Sequence, residues 1–65
     1  MLYTYYLVNR PPDIGTYPNK ETLEAVSALD RKEYVMAIDR SAWGWVSYSE
    51  PLTDKEVEQY ELVKL

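Results

Sequence analysis

The chain has no cysteine, no histidine and no phenylalanine, and only two glycines among its 65 residues. Without cysteine, neither a disulfide nor a thiolate metal site can supplement the core, so side-chain packing must hold the domain by itself. Without histidine there is no imidazole general base, no histidine-ligated zinc and no serine-histidine-aspartate arrangement; the missing cysteine removes the thiol nucleophile as well. Carboxylates, lysine, tyrosine and serine are left, in a chain with little room for the pocket that would desolvate and tune them. The spacing of acids such as Glu33 and Asp39 recommends no catalytic pair. Asp54, Glu56 and Glu58 alternate by two, but on a helix they point in different directions, and the glycine and loop length of a calcium-binding hand are missing. Gly15 and Gly44 are isolated, so there is no glycine-rich phosphate cradle. The sequence therefore predicts no enzyme: no catalytic residue, no cofactor and no metal site.

Long apolar runs are also missing. None approaches the roughly 20 residues needed to cross a bilayer, and the start Met1-Leu2-Tyr3-Thr4-Tyr5-Tyr6 lacks the basic region of a signal peptide, which gives the expectation of a cytoplasmic protein with no membrane partner. Eleven acids against seven bases give a net charge of −4, wrong in sign for a phosphate-binding surface, so nucleic acid is not an expected partner. The acids gather at one end, at Glu50, Asp54, Glu56, Glu58 and Glu61, with only Lys55 and Lys64 to offset them. Such an end can face a basic partner, but is more commonly a solvated helix face. A mimic of DNA would need these carboxylates spaced like phosphates, and a net charge of −4 is small for that role.

What the chain does have is seven tyrosines and two tryptophans. Tyrosine buries a large ring while keeping its hydroxyl near water or a partner, which suits a thin domain. Residues 1–65 form one domain, because a chain of this size buries only about 60% of its unfolded surface. Leu2 to Val8 is short and rich in aromatic and β-branched types, which favours a strand; both its faces are partly apolar, so a central or well-covered position follows. Asn9 to Asn19 holds Pro11, Pro12, Pro18 and Gly15 and reads as an ordered, irregular loop. Over residues 20–39 helical and strand spacings compete. A strand is preferred near Leu23–Leu29, with a second short strand at Tyr34–Ile38 between the charged turns Asp30–Glu33 and Asp39–Ser41. Trp43 to Tyr48 is a clearer strand, with Trp43, Trp45 and Ser47 on one face and Gly44, Val46 and Tyr48 on the other. Gly44 marks a bulge or a place where a large neighbour lies flat across the backbone. In Leu52-Thr53-Asp54-Lys55-Glu56-Val57, Thr53 can cap a helix, Glu56 can bond back, and Leu52 can staple onto Val57. The helix should run about two turns from Thr53 to Glu61 with Val57 and Tyr60 facing the sheet, and Leu62, Val63 and Leu65 can add an edge strand.

Two features invite a functional reading. Trp43 and Trp45 are either an exposed platform for stacking bases, sugars or a peptide, or the apolar layer between sheet and helix; a chain without phenylalanine favours the layer. A platform for single strands would also need a basic track, and only Arg10, Lys20, Arg31, Lys32 and Arg40 lie outside the acidic end. Arg10-Pro11-Pro12 fits a polyproline ligand, though stiffening of the loop is the simpler use of the prolines. The first strand could accept a partner's strand if it lies at an edge.

The stretches Arg10-Pro11-Pro12-Asp13-Ile14-Gly15-Thr16-Tyr17-Pro18, Ala42-Trp43-Gly44-Trp45-Val46-Ser47-Tyr48, Pro51-Leu52-Thr53 and Glu56-Val57-Glu58-Gln59-Tyr60-Glu61-Leu62 resemble a group of short uncharacterised proteins from conjugative elements and phages of Gram-positive gut bacteria. The resemblance covers most of the chain outside residues 20–33. It implies a small accessory protein of mobile DNA and carries over no functional residue.

The sequence thus predicts an α+β domain: a small antiparallel sheet of three or four strands with one C-terminal helix packed on a face. The expected core is Tyr6, Val8, Val35, Ile38, Trp43, Trp45, Val46, Val57, Tyr60 and Leu62. The expected function is non-enzymatic protein interaction, with another protein as partner and a candidate surface of Arg10, Pro11, Pro12, Tyr17, Trp43 and Trp45. A small-ligand or single-strand binder that stacks on its rings is the alternative.

Overall fold

The tyrosine-rich start forms strand β1, Tyr3–Leu7, in a computed structural model that describes residues 1–65. The chain continues through β2 (Leu23–Val35), a 3-10 turn at Met36–Ile38, β3 (Arg40–Tyr48), helix α1 (Asp54–Gln59) and β4 (Leu62–Lys64). The strands make one antiparallel sheet in the order β2-β3-β1-β4. The α+β arrangement expected from the sequence is the one adopted, and β1 is central, as its two apolar faces require. That position closes β1 to strand addition; the open edges belong to β2 and β4.

Residues 20–39 differ from expectation. Leu23–Val35 is one long strand rather than two short ones, and Asp30–Glu33 is not a turn. Those charges fall where the register to β3 shifts, between Ala28 and Glu33, so the extra residues are absorbed as an irregularity inside the strand. The reversal comes later, at Met36–Ile38, and is closed by Asp39 at φ 52. Asp tolerates this left-handed conformation better than most residues.

Cross-strand pairing sorts the side chains into two faces. Tyr3, Tyr5, Leu7, Val46, Tyr48 and Leu62 share the first. It carries the core of Tyr5, Leu7, Val46, Tyr48, Leu52 and Leu62, with Tyr3, Tyr17, Leu23, Val57 and Tyr60 packed around it. The Tyr5 and Tyr48 rings meet edge to face at 6.0 Å. Each hydroxyl finds a backbone partner: Tyr5 Oη accepts from the Leu52 N–H at 2.9 Å, and Tyr48 Oη donates to the Pro18 carbonyl at 2.6 Å. Burial raises the Tyr48 phenol above its ordinary pKa, so it stays protonated as that donor.

Of the expected core, Val8, Val46 and Leu62 are buried and Val57 and Tyr60 pack against the cluster. Val35 and Ile38 are only partly buried, at the reversal end of the hairpin. Tyr6, Trp43 and Trp45 are corrections: alternation puts them on the opposite face, away from the helix. Tyr5, Leu7 and Tyr48 take the interior because the helix and the proline loop pack on their side.

Candidate functional site

The helix and the loop between β1 and β2 both use the first face. Thr53 caps α1 by accepting the Glu56 N–H at 3.1 Å, and Glu56 Oε1 accepts the Thr53 N–H in return at 3.0 Å, the reciprocal box read from the sequence. These bonds, with the contact from Lys20 Nζ at 3.0 Å, hold the Glu56 carboxyl below the usual glutamate range. Lys20 thereby ties the proline loop to the start of the helix. Tyr17 packs on the core from the same loop.

Pro12 fixes the other end. A Cβ on Gly44 would lie 2.7 Å from Pro12 Cγ and clash with the Ser27 carbonyl oxygen, so residue 44 must lack a side chain for the proline ring to settle on the strand. Both roles expected for Gly44 are met: the proline ring lies across it, and its pair with Ala28 borders the irregularity between β2 and β3. Arg10 Nη2 donates to Glu61 Oε1 at 2.7 Å, joined by Asn9 Nδ2 at 3.0 Å, and Glu61 sits at φ 55, turning the chain from α1 into β4. Arg10, Pro12 and Tyr17 therefore have internal partners, and the structure does not gather them with the tryptophans. Pro11 is exposed.

With helix and loop on one side, the second face has no covering layer. Pairing places Thr4, Tyr6, Ser47, Trp45 and Val63 on it, with Ala25 and Ser27 from β2; alternation adds Trp43. Tyr6, Trp43, Trp45 and Val63 are all partly exposed. The Tyr6 and Trp45 rings pair across β1 and β3 at 6.0 Å and 53°, beside a hydroxyl contact of 3.0 Å between Thr4 and Ser47. The registered positions of this face, Thr4, Tyr6, Ala25, Ser27, Tyr34, Ser41, Trp45, Ser47 and Val63, are uncharged, and the charged run Asp30-Arg31-Lys32 lies in the unregistered stretch of β2 opposite Trp43. Sequence reasoning singled out Trp43 and Trp45 but placed Tyr6 in the core. The available signal was parity: Ser41 and Ser47 alternate with the tryptophans and Thr4 with Tyr6, a pattern of a face near water.

The rest of the surface offers less. One open depression is bordered by Asp54, Lys55, Glu58 and Gln59 with no hydrophobic residue, and no group of acids is placed to hold a metal. The long outer edge of β2 is interrupted by the register shift at the charged run Asp30-Arg31-Lys32-Glu33, and charge and irregularity both disfavour addition of a further strand there. No helix is long and apolar enough to cross a membrane.

Among known proteins, the family model described as "Defence against restriction A C-terminal" matches residues 1–65. No curated protein and no solved structure matches the chain.

Proposed function

The chain belongs to the defence against restriction A C-terminal family, and from that premise we propose that it is a non-enzymatic accessory module with which a mobile genetic element counters restriction by contacting another protein. The observation that carries this reading is the uncovered sheet face of Tyr6, Trp43 and Trp45. Apolar aromatic surface that a small domain leaves outside its core is the usual material of protein interfaces. The chemistry agrees: no histidine or cysteine is present, and the surface depression lacks the apolar lining of a substrate site. The working compartment in this reading is the cytoplasm, where restriction acts on entering DNA, and the partner is a component of the restriction system or of the element's own transfer machinery.

The test is a transfer or infection assay in a restricting host, comparing the protein with its Trp45→Glu variant and confirming the variant's fold by circular dichroism. Loss of protection with retained fold is the expected outcome; full protection by a folded Trp45→Glu protein removes the face from the function. Capture of the tagged protein with and without nuclease then separates protein partners from nucleic acid.

The Tyr6–Trp45 pair also supports a second reading, in which the rings stack on a small ligand or a single strand. Single-strand grooves add a basic track to their aromatic platforms, and the residues paired to Tyr6 and Trp45 on either side, Val63 and Ser27, carry no charge. Quenching of tryptophan fluorescence by an oligonucleotide, abolished by Trp45→Glu, would decide for it.

A further inference from the structure

We propose that the outer edge of β2 at Ala25-Val26-Ser27-Ala28 takes up a short extended segment of a partner protein as an additional strand; the inference deepens the reading of the chain as a protein-contact module and rests on it. Sheet edges are ordinarily closed to such addition by charge, irregularity or shortness. Most of the open edge here is closed in this way. β4 is three residues long and ends on Lys64. Beyond Ala28, β2 runs out of register through Asp30–Glu33, and before Ala25 it shifts again at Glu24. Between these two interruptions Ala25, Val26, Ser27 and Ala28 pair without a break with Ser47, Val46, Trp45 and Gly44. This stretch has no charge and no proline. Ala25, Val26 and Ala28 are exposed, and no turn, loop or cap makes a backbone hydrogen bond to any of the stretch. Its outward N–H and C=O groups therefore face water, open to a further ladder.

Side-chain size selects the occupant. Ser27 is the direct partner of Trp45, so the row Val63, Tyr6, Trp45 drops to a small residue at the edge. An added strand lies two strand spacings, roughly 10 Å, from β3. A large apolar side chain placed opposite Ser27 leans across it onto the indole, while the next residue along meets Val26, 44% exposed on the other face. The fitting segment is thus extended, carries large apolar side chains at alternate positions, and pairs only between the two interruptions. A second copy fits poorly. Its own edge brings only alanine, serine and one valine, so pairing the stretch with itself leaves Trp45 uncovered in any register. So short a ladder predicts a reversible contact with a dissociation constant in the micromolar range.

A random peptide library displayed on phage and selected against the purified protein supplies the probe. The expected result is enrichment of peptides with large apolar residues at alternate positions. Their binding should shift the backbone amide resonances of residues 25–28 and the Trp45 indole most, and weaken at least about tenfold in Val26→Lys and in Ala28→Lys. Both positions are exposed, so lysine charges the edge without opening the core. An empty selection, peptides without the alternation, or binding that leaves those amides unmoved overturns the proposal. So does a dimer in sedimentation that Val26→Lys dissociates, which gives the edge to a second copy. In the restricting host, a folded Val26→Lys protein that protects fully while Trp45→Glu does not overturns the edge alone and leaves the proposed function standing; full protection by both removes both.

Discussion

Substituting Gly44 by Ala sets backbone propensity against the packing seen here, and the two predict opposite signs. In the middle of a strand, replacing glycine by alanine should stabilise by roughly 0.5–1 kcal/mol, because glycine gives up more conformational freedom on folding. The structure reverses this. The new methyl would stand 2.7 Å from Pro12 Cγ and 3.0 Å from Pro12 Cδ, where ordinary contact begins near 3.4 Å, and would also meet the Ser27 carbonyl oxygen. Overpacking of this kind costs about 1–3 kcal/mol. The carbonyl belongs to the sheet ladder, so relief requires β2 to move, and the upper part of that range applies. Against a total stability of roughly 3–10 kcal/mol for a domain of this length, the loss is large. It should lower the melting temperature by roughly 4–8 °C for each kcal/mol. Thermal and urea melts followed by circular dichroism measure it. Pro12→Ala combined with Gly44→Ala should be less destabilised than the sum of the single changes, because the ring that meets the methyl is gone while the carbonyl remains. A Gly44→Ala protein as stable as the parent refutes the seating of Pro12 on β3.

Three further outcomes follow from the packing. Tyr5→Phe leaves the buried Leu52 N–H without its acceptor and should cost about 1–3 kcal/mol in urea melts, although no apolar contact is lost; an unchanged midpoint would mean that the amide finds another partner. Thr53→Ala removes the cap of α1 and should cost about 1 kcal/mol, with Thr53→Ser restoring most of it. Glu56 has its folded pKa below the ordinary 4.5, first through the Thr53 backbone and then through Lys20. Its contribution is therefore complete above 4.5 and lost as pH falls through the lower folded value, so melting temperature should drop in acid below about 4.5, and Glu56→Gln should flatten that drop.

The site and the fold were legible to different depths. Local signals held where the chemistry is local: the Thr53–Glu56 box, the positive φ at Gly15, and the strand at Trp43–Tyr48 all need only a few neighbouring residues. In Leu23–Val35 the decision passed to pairing. Competing spacings and four consecutive charges suggested a break, yet the partner strand β3 carries the segment through and takes up the surplus at the register shift.

Sequence by itself determined that this is a small antiparallel α+β domain and that Trp43, Trp45 and Ser47 share a face opposite Gly44, Val46 and Tyr48, while for β1 it gave a central or well-covered position and left an edge position open. Those follow from side-chain period and turn chemistry, which the chain carries within itself. It could not say which face would be covered. Alternation fixes that Trp43 and Trp45 lie together opposite Val46 and Tyr48, but both sets are apolar and aromatic, so hydrophobicity does not choose between them. The choice was made by the route of the loop and helix, which seats Pro12 on Gly44, bonds Tyr5 to Leu52 and Tyr48 to Pro18, and so buries the tyrosine face. The aromatic pair Tyr6–Trp45 is left on the surface because the short chain has one helix and one long loop, and both are spent on the other side of the sheet.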